Sequence, residues 1–121
     1  MRKETGMHEL GIVDYVIRNV ESVAEQNKLT KVTAVKLEFG EVSGIIPGYL
    51  KNCWDWMVHR GHPVLEEAEF TWDIIPAFTV CEDCQKTYRT VDYGKTCPYC
   101  GGGNTYLLEG NSVMIKQIAG V

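Results

Sequence analysis

Four cysteines stand in two pairs, Cys81-Glu-Asp-Cys84 and Cys97-Pro-Tyr-Cys100, with twelve residues between them. Each Cys-x-x-Cys turn puts two sulfurs on one side of a tight knuckle, and two facing knuckles complete a tetrahedron of thiolates, the set that zinc prefers. Pro98 stiffens the second turn, and Gly101-Gly102-Gly103 lets backbone N–H groups turn back towards the sulfurs and soften their charge. Protein fills all four positions, so no place is left for a catalytic water and the zinc reads as structural. Two disulfides are disfavoured in a chain with no export signal, and a redox Cys-x-x-Cys would not need the second pair. Iron in a rubredoxin-like tetrathiolate satisfies the same cysteine count and stays open.

The fifth cysteine, Cys53, falls on an apolar helical face with Leu50, Trp54, Met57 and Val58, where a buried, inert thiol is expected. His59 and His62 lie at and just past the end of that helix and read as surface histidines. His8 differs, standing between Met7 and Glu9 just ahead of the first expected helix.

These groups need a scaffold. Residues 1–6 read as a loose polar tail. Leu10, Val13, Ile17, Val20 and Ala24, widened by Val16 and Val23, recur at helical spacing for about five turns, ending near Asn27-Lys28. Val35, Leu37 and Phe39 alternate with Lys36 and Glu38 as a half-buried strand closed by Gly40. Pro47 opens the second helix and Gly61 stops it. Phe70, Trp72 and Ile74 mark a second strand closed by Pro76, and residues 112–120 a third. Residues 77–110 are rich in Cys, Gly, Tyr and Thr and poor in aliphatic side chains, so metal must fold them.

The expected fold class is α+β: a small mixed three-stranded sheet with two helices, plus an inserted four-cysteine zinc-ribbon module. The first two strands suit a parallel pair with a right-handed crossover. The second and third suit an antiparallel hairpin whose tip has grown into the metal site. The domains are then 7–76 with 111–121, the inserted 77–110, and an N-terminal extension over 1–6.

The chain has 121 residues and a formal charge of −4. Four thiolates add −4 and a divalent ion +2, giving −6 with zinc bound. Such a balance attracts no phosphate backbone without a local basic patch, and none is visible, so no nucleic acid is expected. No apolar run reaches the roughly 20 residues of a membrane span, and the charged start lacks the apolar stretch of a secretory signal. A soluble cytoplasmic protein without a membrane partner is the expectation. No Ser-His-Asp order, phosphate-binding loop or open catalytic metal position is present, so no enzyme activity is expected.

Met7-His8-Glu9-Leu10, the amphipathic helix after it, Leu37-Glu38-Phe39-Gly40-Glu41 and the inserted cysteine pairs together resemble the HypA family of hydrogenase maturation proteins. The resemblance runs from Met7 to the last strand. It implies a nickel metallochaperone that assists nickel insertion into [NiFe]-hydrogenase and, in some organisms, urease. It implies the HypB GTPase, the hydrogenase large subunit and urease maturation proteins as partners. It places nickel(II), the transferred ion, on the amine of Met7, the amide nitrogen and imidazole of His8, and Glu9 as a further candidate. Such consecutive nitrogen donors suit the planar preference of nickel(II). Here Met1 precedes Met7, so the Met7 nitrogen is a peptide nitrogen unless residues 1–6 are absent. The alternatives from other classes are a zinc-ribbon nucleic-acid or protein-interaction module, and a redox or iron protein.

Overall fold

The computed structural model describes residues 3–121, with side chains from His8 onward. Met1 and Arg2, part of the expected tail, lie outside the described residues. The remainder of that tail is helical: α1 spans Lys3–Gln26, and His8 sits within it rather than ahead of it. Once the apolar face is docked, each further residue adds a hydrogen bond at little cost, so the helix extends past the last apolar contact through Gly6. At its other end Lys28 takes a left-handed conformation (φ 57°), and the amide of Leu29 returns to the carbonyl of Ala24 at 2.8 Å. The buried face runs Glu9, Val13, Val16, Ile17, Val20 and Ala24, while Leu10 stays 40% exposed. Glu9 stands four residues before Val13, on the same stripe of the helix.

β1 (Val32–Gly40) and α2 (Pro47–Val58) follow, then a 3-10 turn at Pro63–Leu65 and β2 (Glu69–Ile75). The metal-bearing stretch holds β3 (Phe78–Cys81), β4 (Thr87–Arg89), the single-turn α3 (Thr90–Tyr93) and β5 (Thr105–Glu109). β6 (Val113–Gly120) closes the fold. There are two three-stranded sheets, β2-β1-β6 and β4-β3-β5, so the architecture is α+β as expected. The expected pairing of the second and third strands does not form. β1 lies between β2 and β6, and the antiparallel pairing occurs deeper in the chain, between β3 and β5.

The backbone groups into two compact units. The described part of the first runs to Glu38 and adds Ile45–Asp73 and Met114–Val121. Its core joins the α1 face to Val32, Val35 and Leu37 of β1, Leu50, Trp54 and Val58 of α2, and Leu65. Trp54 stacks on Phe70 at 4.3 Å. Burying each such large side chain contributes about 1.5–3 kcal/mol. Cys53 is half-buried on α2, and burial, followed by the charge of Glu9, pushes its thiol up. His62 is not a free surface histidine: its Nδ1 lies 2.6 Å from Glu21 Oε2. His59 is exposed, with Nδ1 2.7 Å from the carbonyl of Asp55.

The second unit comprises Phe39–Gly44 and Ile74–Val113. The end of β1 explains why its neighbours do not pair. Gly40 donates to the carbonyl of Ser112 at 3.0 Å, Glu41 to Ile75 at 2.9 Å and Val42 to Gly110 at 2.9 Å. Both flanking segments therefore bond to the same short stretch instead of to each other. The approach is close enough that a Cβ on Gly40 would lie 1.7 Å from the Gly110 carbonyl oxygen, and Gly110 itself adopts φ +111°. Among the described residues no helix is long and apolar enough to cross a membrane.

Candidate metal centre

β3 delivers Cys81 at its last position, and a turn brings Cys84 back beside it. Cys97 and Cys100 come from the loop after α3. The two knuckles repeat one design. The amide of Cys81 donates to the carbonyl of Lys86 at 2.9 Å, and that of Gln85 to the carbonyl of Cys81 at 2.8 Å. Sixteen residues later the amide of Cys97 donates to Gly102 at 2.9 Å, and that of Gly101 to Cys97 at 2.8 Å. Each turn closes through a left-handed residue, Gln85 at φ 66° and Gly101 at φ 76°. The first knuckle thus uses a glutamine where the second uses the glycine that such a φ favours.

The four Sγ atoms lie within 4.8 Å of one another. Cys81 and Cys100 are 3.6 Å apart, as are Cys84 and Cys97. Ligands at about 2.3 Å around a tetrahedral zinc stand about 3.8 Å apart along each edge, so the cage fits zinc. Cys81 and Cys97 are buried, Cys84 is half-buried and Cys100 is exposed. Backbone donors face the sulfurs, as at Tyr99, whose amide donates to Cys97 Sγ at 3.4 Å. Burial pushes the Cys97 thiol up, but the amides of Cys100 and Tyr99 and the neighbouring thiols outweigh it and hold it at about 7. A thiol so lowered is partly ionised near neutrality and ready to ligate. Cys100 goes the other way, to about 12, because the neighbouring thiols of Cys81, Cys97 and Cys84 together with burial outweigh the Gly102 amide.

Residues that the spacing does not announce hold this cage in place. Tyr88 is buried against Cys81 and Cys97, donates its hydroxyl to the carbonyl of Gly94 at 2.9 Å, and takes the Tyr93 ring edge-on. It is the aromatic core of a module with few aliphatic side chains. Lys86 sets its ammonium 4.9 Å from the Tyr99 ring centroid, joining the two knuckles through a cation–π contact. Glu41 accepts the amide of Ala77 at 2.6 Å and the Arg89 guanidinium at 2.7 Å, both on Oε1. The Ala77 amide, with Arg89 second, holds the Glu41 carboxyl below its usual 4.5. The signal for the Gln85 turn lies in the sequence, since Gln85 and Gly101 each stand four residues after the first cysteine of a pair.

The other expected group, Met7-His8-Glu9, is not assembled in the helix. His8 is exposed, Glu9 is fully buried, and successive helical side chains diverge by about 100°. The Met7 side chain lies outside the described residues. Among the described residues, the one group of three or more clustered metal-ligating side chains is the four cysteines.

A family model described as hydrogenase/urease nickel incorporation, metallochaperone, hypA matches residues 7–120. A hydrogenase maturation factor HypA from Actinobacillus succinogenes is 32% identical over 113 residues, covering 93% of this chain and 98% of that protein. One from Psychromonas ingrahamii is 34% identical over 112 residues, covering 93% and 96%. The solution structure of the nickel metallochaperone HypA from Helicobacter pylori aligns with TM-score 0.67 at 20% identity, covering 93% of this chain and 97% of that one. A second solution structure of a HypA protein aligns with TM-score 0.70 at 22% identity, covering 95% and 97%.

Proposed function

The chain belongs to the HypA family of metallochaperones for hydrogenase and urease nickel incorporation, and from that premise we propose that it carries nickel(II) on Met7, His8 and Glu9 and passes it to a maturing [NiFe]-hydrogenase or urease. The observation that carries this reading is the family match, which begins at Met7 and so takes in His8 and Glu9. Nickel is cargo here, not a resident cofactor, and the protein performs delivery rather than catalysis. The partners that follow are the HypB GTPase, the hydrogenase large subunit and urease maturation proteins, in the cytoplasm.

In this reading Cys81, Cys84, Cys97 and Cys100 hold a structural zinc. Zinc supplies a covalent-strength cross-link between the two knuckles and no reaction step. The residues around it do the rest: Tyr88 fills the space beneath the cage, and Glu41 fastens Ala77 and Arg89. Nickel delivery asks for the opposite kind of site, one that can open. The imidazole of His8 is exposed and supplies the only side-chain nitrogen near the start that suits nickel. Amide nitrogens add to it only when freed from helical hydrogen bonds.

The test is nickel calorimetry and absorption spectroscopy on three proteins: the full chain, a chain beginning at Met7, and that shorter chain with His8→Ala. The Met7 start frees its amine, so nickel binds more tightly there and with a planar, diamagnetic signature. His8→Ala abolishes specific binding while zinc stays. Equal affinity in all three proteins refutes the site.

A further inference from the structure

The four cage sulfurs are unequally covered. Cys81 and Cys97 pack with Tyr88 in a buried cluster, and Cys84 lies against it half-buried. Cys100 stands outside that cluster and is exposed. The reactivity of a cysteine towards oxidants follows its thiolate character and its access. A metal ion keeps every coordinating thiol deprotonated, so access alone ranks the four, and Cys100 comes first.

The approach to Cys100 is open on one side. A Cβ on Gly102 would stand 3.3 Å from Cys100 Sγ and 2.8 Å from Asp83 Oδ2. Gly102 is not among the glycines with positive φ, so its backbone does not require glycine. What the missing side chain leaves is room beside the sulfur, with the Asp83 carboxylate at the edge of the opening. A carboxylate oxygen accepts a hydrogen bond from neutral hydrogen peroxide and repels anionic oxidants.

The sulfur that can answer lies across the cage. Cys81 Sγ is 3.6 Å from Cys100 Sγ and belongs to the other knuckle. A disulfide is about 2.05 Å long, so a closing shift of roughly 1.5 Å joins them. Cys81 is fully buried, and an oxidant reaches it only through Cys100.

We infer that Cys100 is an oxidation site with Cys81 as its resolving partner, so that hydrogen peroxide turns the cage into a cross-knuckle disulfide and releases the metal. The Cys100 thiolate attacks one peroxide oxygen. An S–O bond forms, the O–O bond breaks, the sulfur gives up an electron pair and the other oxygen leaves as hydroxide. The Cys81 thiolate then attacks the Cys100 sulfur. An S–S bond forms, the S–O bond breaks and a second hydroxide leaves. Both thiolates and one peroxide thus become one disulfide and a pair of hydroxides, which take protons from the buffer. Cys84 and Cys97 remain as half of a tetrahedral set. The release step rests on the zinc reading above. It makes the fold of residues 77–110, which depends on metal, answer to oxidant as well.

The test treats the zinc-loaded full chain with hydrogen peroxide at neutral pH. Pyridylazoresorcinol reads the released zinc, and alkylation with peptide mass spectrometry maps the thiols. Zinc should leave in step with a Cys81–Cys100 disulfide while Cys53, half-buried on α2, stays alkylatable. Dithiothreitol and added zinc should restore the cage. Gly102→Ala keeps all four ligands and displaces only the tip of Asp83, and its methyl covers Cys100. It should release zinc about threefold more slowly, or slower still. The inference is overturned if the first disulfide joins Cys97 to Cys100 or Cys84 to Cys97. It is overturned too if Cys100 stays reduced while zinc leaves, or if Gly102→Ala responds at the wild-type rate. A chain that takes up no zinc refutes the zinc reading and the release step with it, while the disulfide map, which needs no metal, still decides the pairing.

Discussion

Gln85 and Gly101 occupy the same place in the two cysteine knuckles, each with positive φ and each donating its amide to the carbonyl of the first cysteine of its pair. The left-handed conformation costs a residue with a side chain about 1–2 kcal/mol, and glycine nothing. Gln85 recovers part of that through its side-chain amide, which donates to the carbonyl of Glu82 at 2.9 Å. Gln85→Gly is expected to stabilise the module by roughly 0.5–1 kcal/mol once the lost hydrogen bond is counted. Chelator concentration at half-release of zinc reads the change. Easier release from Gln85→Gly contradicts the strain assignment.

Purified protein is expected to carry one zinc per chain. Cys97→Ala should release it and open residues 77–110 before the helices, because that stretch has little core besides Tyr88 and the cysteines. Cys53→Ala, on α2 and outside the thiol cage, should leave zinc content unchanged at a cost of about 1 kcal/mol. Elemental analysis with hydrogen exchange decides both, and full zinc retention by Cys97→Ala contradicts the cage.

Gly40→Ala should be among the most damaging single substitutions. Its Cβ would overlap the backbone of Gly110, which cannot move aside as a flexible side-chain tip could. A loss of more than about 3 kcal/mol is expected, well above an ordinary surface change. Urea denaturation measures it, and a loss under about 1 kcal/mol shows that the crossing can spread.

Glu41 sets an acid limit on the second unit. The Ala77 amide, then Arg89, lowers its folded pKa. A carboxyl lowered in this way contributes stability that is present above its unfolded pKa and lost as pH falls through the folded one. The wild type should therefore lose thermal stability below about pH 4.5 more steeply than Glu41→Gln does. Thiolate protonation releases zinc from both proteins alike, so the difference between the two curves isolates Glu41. Parallel curves show that the carboxylate carries no share of the acid response.

Much of this fold could be read from the chain because its helices and first strand obey simple periods. Val13, Val20 and Ala24 on α1, and Val35 and Leu37 on β1, are buried where spacing puts them. Cys81, Cys84, Cys97 and Cys100 were legible for another reason: metal chemistry fixes both residue type and spacing. Long-range backbone bonding has no such signature. Nothing local in Glu41 announces that it will hold Ala77 and Arg89, and nothing in Phe39-Gly40-Glu41 announces a strand end lying between β2 and β6. Nor does anything local in Glu9 announce that its carboxylate will accept the distant amide of Ile46. The helical start before Leu10 was hidden because a short polar stretch forms helix only as an extension of a docked one.

The stretch Gly40–Val42 bonds to Ile75, Gly110 and Ser112, all of which are made after it on the ribosome. Its amides emerge without their partners, and the first of these arrives only with Ile75. The rest wait until both cysteine pairs have been synthesised, since Gly110 and Ser112 follow Cys100. Zinc can therefore join the nascent chain before that strand end is fully bonded, and Gly110 and Ser112 complete a junction begun near residue 40.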